Sequence, residues 1–174
     1  MKTLKNIAKF GFLALFLSLS SCSSDEGGGG GGVAAEGTVT AKVAGSSFKS
    51  IKMATMANRV SAGGVTVVTV QGTDSSGKTI NLIINGATQT GTYDIGGDNL
   101  VAVVGSYIEP NISNPQASKT YVAPFEGGAV AGSITISEMT DTKIVGTFNF
   151  TGKNQNDQND SKAVTNGAFN VMFQ

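Results

Sequence analysis

The sequence predicts an all-β domain, and two observations lead to that fold class. Valine, isoleucine and threonine recur in short runs in which apolar and polar residues alternate, the period of a strand with one buried face. Glycine and asparagine separate these runs, and no long stretch of residues 37–174 shows the 3.6-residue apolar period of a helix. We therefore expect residues 37–174 to form a single antiparallel β-sandwich or flattened barrel of about 8–10 strands.

The first part of this domain, residues 38–123, contains several strand candidates. Val65–Gln71 and Thr79–Ile84 are joined by a short Gly-containing turn and predict a β-hairpin. Proline brackets a loop at Pro110 and Pro115, and the short run after it is expected to be an edge strand. The other candidates in chain order are Thr38–Ala44, Phe48–Thr55, Gly91–Ile95, Leu100–Ile108 and Lys119–Ala123.

The C-terminal part predicts a three-stranded meander that serves as the core nucleus. Its strands are Ala129–Glu138, Lys143–Thr151 and Ala163–Phe173, with a polar loop, Gly152–Ser161, before the last of them. Branched and aromatic residues recur at every second position, so they share the inner face of the sheet. The residues expected to be buried there are Val130, Ile134, Ile136, Ile144, Phe148, Phe150, Phe169, Val171 and Phe173.

The N-terminus predicts a lipoprotein signal peptide over residues 1–21. Three lysines precede a ten-residue apolar run, residues 10–19, which as a helix would cover only about 15 Å and is too short to span a bilayer. Leu19, Ser20 and Ser21 then precede Cys22, the only cysteine, in a pattern that resembles a bacterial lipobox. We expect cleavage before Cys22 and acylation of its thiol, so that the membrane is a partner through this lipid.

Residues 22–36 predict a tether between the lipid and the domain. Six consecutive glycines follow an acidic pair, and glycine contributes no side chain to a core. The segment Ser23, Ser24, Asp25 and Glu26 resembles the surface-export signal of Bacteroidetes lipoproteins. These features predict a lipoprotein of the bacterial cell envelope, in the outer membrane and exposed at the cell surface.

Charge and composition exclude several functions. Three of the 12 basic residues and none of the 12 acidic residues lie in residues 1–21, so the processed chain has a net charge of −3. This balance gives no electrostatic case for binding nucleic acid. The sequence has no histidine, which removes the Ser-His-Asp and Cys-His arrangements and the usual zinc ligands. We expect no cofactor, no metal and no catalytic residue.

Carboxylates and amides are the chemistry that remains. Asp94, Asp98, Glu109 and Glu126 lie near predicted loops and could converge as a glycosidase-like pair, although solvated loop acids are the simpler interpretation. Residues 154–160 are all asparagine, glutamine or aspartate, which offers oxygen atoms to calcium without the glycine and final glutamate of an EF-hand. Whether the 152–161 loop binds a cation stays open.

The domain is similar to a family of uncharacterised Bacteroidetes lipoproteins classed as a domain of unknown function. The similarity rests on turn and core motifs, which are residues 43–48, 91–93, 132–138, 145–150 and 164–169. It implies an all-β lipoprotein and no particular activity. The expected function is therefore a non-enzymatic, lipid-anchored β domain that binds a partner or an envelope component. The alternatives are a lipocalin-like carrier of a small apolar ligand and a carboxylate-dependent hydrolase.

Overall fold

The computed structural model describes residues 32–97, 103–125 and 129–174. Two short 3₁₀ helices lie at Lys52–Ala54 and Pro115–Ala117. In the described residues, no helix is long and apolar enough to cross a membrane. The strands are β1 (Thr38–Val43), β2 (Ser46–Lys49), β3 (Thr55–Ala62), β4 (Val65–Thr73), β5 (Thr79–Asn85), β6 (Gly91–Gly96), β7 (Val103–Glu109), β8 (Lys119–Ala123), β9 (Val130–Met139), β10 (Lys143–Asn154) and β11 (Asp157–Met172).

The eleven strands of the described residues belong to one curled antiparallel sheet. Its order is β2-β1-β11-β10-β8-β7-β5-β4-β3, and β9 and β6 extend from β10 as a branch. The curl brings β3 back to the end of β11, where Ala57 and Phe173 form a single parallel bridge and Gln174 N donates to Ala57 O at 3.0 Å. The all-β prediction is thus confirmed, and a single curled sheet is closer to the flattened barrel than to two separate sheets.

Strand β10 is the centre of this arrangement. One edge pairs with β11 along almost its whole length, from Lys143 opposite Met172 to Asn154 opposite Asp157. The other edge is shared, because β9 pairs with residues 144–150 and β8 pairs with Lys153 and Asn154. The predicted C-terminal meander of β9, β10 and β11 is therefore confirmed, as is the β4–β5 hairpin.

Aromatic rings and glycines alternate on the inner face. A Cβ atom on Gly105 would lie 2.7 Å from the Phe150 ring, and one on Gly167 would lie 2.6 Å from the Phe148 ring. Phe148 also stacks with Phe150 and with Phe169 at centroid distances of 6.3 Å. Each ring lies over a position without a side chain, so close packing fills this part of the interior with protein atoms.

Three predictions are wrong, either in where a strand begins and ends or in which strands it pairs with. The run Phe48–Thr55 is not one strand, because the chain turns at residues 50–54 and starts β3, which the sequence did not indicate. The polar segment 152–161 is not an open loop: β10 and β11 pair through it and leave only Gln155 and Asn156 between them. Strand β8 is not an edge strand, since it pairs with both β7 and β10.

The predicted burial of Val130 is also wrong, since 58% of its surface is exposed. Val130 lies at the start of β9, opposite Gly96, and its side chain faces Gly97. Neither glycine has a side chain to cover it. The other predicted inner residues of the meander are buried, except that Phe173 is only partly buried where it packs on the core.

Candidate functional site

A shallow groove lies on the outer face of the β9–β10–β11 meander. Its volume is about 460 Å³, and it is open to solvent along the sheet. None of the residues that line it carries a formal charge. They are Ser133, Thr135, Thr147, Phe148, Asn149, Thr165, Asn166 and Gly167.

Strand alternation places the polar side chains of the groove on the outer face. Along β10, Ile144, Phe148 and Phe150 are buried, whereas Thr147 is half-buried and Asn149 is exposed. The neighbouring strand β9 follows the same rule, because Thr135 is opposite Thr147 and Ser133 is opposite Asn149. The core residues of the meander therefore fix the positions of the groove residues.

A β-bulge in β11 shapes one wall of the groove. Phe148 is opposite Gly167 and Phe150 is opposite Val164, so β11 has one more residue than β10 over this interval. Thr165 and Asn166 together lie opposite the single residue Asn149, and Asn166 has a φ of 51°. Such a left-handed residue is uncommon outside glycine and turns the backbone away from the plane of the sheet.

Hydroxyl and amide groups form short cross-strand rows beside the groove. Thr92 and Thr135 share a hydrogen bond of 2.9 Å between their hydroxyls. Asn149 Nδ2 donates to Ser133 Oγ at 3.3 Å. Each of these groups can both donate and accept, and none titrates in the physiological pH range. The surface can therefore offer hydrogen bonds to a neutral polar molecule.

A second cluster of polar side chains surrounds two inward-facing tyrosines. Tyr107 and Tyr121 are opposite each other on β7 and β8, almost fully buried, with ring centroids 6.1 Å apart. Lys162 Nζ lies 5.2 Å from the Tyr121 ring centroid and 2.8 Å from Glu109 Oε1. Tyr107 donates to the same carboxylate oxygen at 3.1 Å. Burial, followed by the charge of Glu109, raises the pKa of Tyr107 well above its usual range.

Asp160 is the second anion of this cluster. Its Oδ2 accepts from Lys119 Nζ at 2.8 Å, from Tyr121 OH at 3.0 Å and from Asn154 Nδ2 at 3.1 Å. These bonds, with that of Lys119 the strongest, lower the pKa of Asp160 to about 2. Burial and the bond to Asp160 together raise the pKa of Tyr121. The carboxylate thus stays ionised, which is the opposite of what a general acid needs.

Two of the four acidic residues that were weighed as a glycosidase-like pair, Asp94 and Glu109, lie in the described chain, and their surroundings differ. Asp94 is exposed on β6 opposite Ser133, whereas Glu109 is held by Lys162 and Tyr107. Asp98 and Glu126 lie outside the described residues, as do residues 1–21, Cys22 and the segment 23–26. In the described ranges, no three His, Cys, Asp or Glu residues form a group that could hold a metal ion.

Sequence reasoning missed Asp160 and Lys162 as inward-facing residues. The signal was present, because residues 160, 162 and 164 have the same parity and Val164 is fully buried. Because residues 152–161 were predicted to be a polar loop, this alternation did not enter the strand prediction. The uncharged groove has no comparable signal, since serine, threonine and asparagine are ordinary on any solvent-facing strand.

The curled sheet, the interlocked inner face and the uncharged outer groove define a small all-β domain with an open, polar surface site. A family model described as "Domain of unknown function (DUF6252)" matches residues 35–172, and the chain belongs to this family. Comparisons with curated proteins and with solved structures give no match. The Bacteroidetes origin and the lipobox stay predictions.

Proposed function

We propose that this chain is an outer-membrane lipoprotein of the bacterial cell envelope, acylated at Cys22 and displayed at the cell surface. The support is the sequence pattern of Leu19, Ser20, Ser21 and Cys22, together with the acidic pair that follows. In this proposal residues 22–36 connect the lipid to the β domain. Its role is to hold a binding domain at the membrane surface.

We propose further that the β domain binds without catalysing a reaction, and that its ligand is a neutral envelope glycan held in the outer groove. The observation that carries this proposal is the lining itself, which offers hydroxyl, amide and backbone groups without a charge. Sugar hydroxyls both donate and accept hydrogen bonds, so they match serine, threonine and asparagine. The groove has no tryptophan or tyrosine face, and we therefore expect recognition by hydrogen bonds and modest affinity.

The anchor is tested in cells that express the native chain and a Cys22→Ala variant. We expect the native chain to be in the membrane fraction with a diacylglyceryl-modified residue 22 at its N-terminus, and globomycin to block its processing. The variant should lose membrane partitioning. Equal partitioning of the two chains, or a mature N-terminus elsewhere, would contradict the anchor.

The ligand site is tested by nuclear magnetic resonance with a panel of neutral oligosaccharides and the ¹⁵N-labelled Cys22→Ala chain. We expect the amide signals of Thr135, Thr147 and Thr165 to shift, and Thr147→Lys to abolish the shifts because it places a charged side chain in the groove. Thr151→Lys is the matched control, because Thr151 is exposed on the same strand outside the groove lining. Shifts confined to other surfaces would refute the groove as the site.

A further inference from the structure

Exposed apolar side chains gather where the chain enters the β domain. Nine large apolar side chains are exposed in the described residues, and five of them lie in three short segments near Gly37. We name these five the entry patch: Val33, Ile51, Met53, Met56 and Met172. Met53 is 91% exposed and Val33 is 73% exposed, so no part of the described chain covers them.

Gly37 connects the three segments. Its N–H donates to Asn170 O at 2.7 Å, and Met172 follows two residues later on the same outward side of β11. The space beside Gly37 Cα is occupied by Lys52, whose Cγ would be 3.5 Å from a Cβ atom at residue 37. Lys52 and Met53 belong to the same 3₁₀ turn, and Thr55 Oγ1 fixes that turn by donating to Ile51 O at 2.8 Å.

Ala34, near the start of the described chain, is attached to the sheet. Asn170 Nδ2 donates to Ala34 O at 3.3 Å, and Ala34 is 94% buried because only 6% of its surface is exposed. The described chain therefore leaves the domain at Val33, within the entry patch. Only nine residues lie between Cys22 and Gly32, so whatever its conformation the chain from Cys22 to Gly32 spans at most about 35 Å.

We propose that the entry patch is a membrane-contacting surface that rests in the interfacial region of the bilayer holding the lipid anchor. The inference rests on the proposed acylation of Cys22. The connection keeps Gly32, the neighbour of Val33, within about 35 Å of the acylated residue 22, and apolar side chains on the face around Val33 leave water when they enter the headgroup region. Contact through the patch would also fix the orientation of the domain and hence of the outer groove.

The chain contains no tryptophan, so a single introduced tryptophan reports on one position. Met53→Trp places it in the entry patch. Val65→Trp is the matched control, because Val65 is also exposed. Ile51 of the entry patch donates its N–H to Thr73 O at 2.9 Å, and Thr73 and Val65 are the two ends of β4. The two positions are thus separated by most of β4, about 26 Å.

Both lipidated variants are reconstituted into phosphatidylcholine vesicles with and without brominated acyl chains. We expect the tryptophan at residue 53 to shift to the blue and to lose about half of its fluorescence to the brominated lipid, and the tryptophan at residue 65 to be unaffected. Met53→Trp in the Cys22→Ala background should remain unquenched, because a small patch does not hold a domain on a membrane without the acyl chains.

The outcomes separate the entry patch from the anchor. Membrane-bound, acylated protein with no quenching at residue 53, or with equal quenching at residues 53 and 65, overturns the patch and leaves the anchor intact. Protein without an acyl group at Cys22 overturns both. A concentration-dependent dimer of the Cys22→Ala chain that Met53→Asp abolishes would assign the patch to a second copy and would also overturn the inference.

Discussion

Phe169 occupies the space that a side chain at residue 146 would need. The two residues are directly opposite each other on β11 and β10, and a Cβ atom on Gly146 would lie 2.5 Å from Phe169 Cζ. The same atom would overlap the backbone carbonyl of Thr135 on β9. Gly146 thus lets a ring from one neighbouring strand and the backbone of the other approach β10 at the same point.

Gly146→Ala should therefore destabilise the domain strongly. Overpacking of a filled core costs about 1–3 kcal/mol, and the upper part of that range is expected because backbone as well as a ring must move. The free energy of unfolding in urea measures this loss. Thr147→Ala on the outer face is the control, with an expected loss below about 1 kcal/mol. Equal losses for the two variants would contradict the packing argument.

Ser50 joins the start of β3 to β1 through a buried hydroxyl. Its Oγ accepts from Val39 N at 2.8 Å and lies 2.7 Å from Thr55 Oγ1, and Ser50 is 3% exposed. Ser50→Ala removes the side-chain acceptor of the buried Val39 N–H and the hydroxyl partner of Thr55 Oγ1, which should lower the free energy of unfolding by about 1–3 kcal/mol. Ser47→Ala, at an exposed position in β2, should change it by less than about 0.5 kcal/mol. Urea denaturation of both variants measures the difference.

Lys162 and Glu109 are expected to stabilise the domain as a pair. Both side chains are 24% exposed, so the pair lies between a surface and a buried salt bridge. Lys162→Met should cost about 1–2 kcal/mol, because Glu109 then faces the tyrosine pair without its cation. A double-mutant cycle with Glu109→Gln measures the coupling. Additive effects of the two substitutions would show that the ion pair contributes nothing.

Tyr107 should make the domain sensitive to alkaline pH. Its pKa in the folded state lies above the value of about 10 for an unfolded chain, because burial and then Glu109 oppose the tyrosinate form. A raised pKa in the folded state means that this stabilisation is complete below about pH 10 and is lost as the pH rises further. Urea unfolding between about pH 8 and pH 11 should show a smaller decline for Tyr107→Phe than for the native chain. Identical slopes would contradict the assignment.

Local alternation predicted most of the strands and most of the inner face, because the side-chain period of a strand is visible within a few residues. Ile134, Phe148 and Phe169 were found in this way. Pairing between distant strands is not encoded locally, so the sharing of β10 between β8 and β9 could not be predicted. The groove depends on the bulge at Thr165 and Asn166, which only the register between β10 and β11 reveals.

Asp160 provides a test of the tyrosine cluster at acidic pH. Hydrogen bonds from Lys119, Asn154 and Tyr121 lower its pKa to about 2, below the value of about 3.9 in an unfolded chain. A lowered pKa in the folded state means that the stabilisation is present above the unfolded value and is lost as the pH falls through about 2. The native chain should therefore lose stability between about pH 5 and pH 2.

Asp160→Asn should be less stable than the native chain at about pH 6 and should lose less stability on acidification, because residue 160 no longer takes up a proton. Urea unfolding at a series of pH values measures both effects. Asp157→Asn is the control, since Asp157 is an exposed carboxylate of the same strand whose Oδ1 accepts from the backbone N–H of Asn159 at 3.0 Å. If Asp160→Asn retains the full acid dependence, the stabilising anion of this cluster is not Asp160.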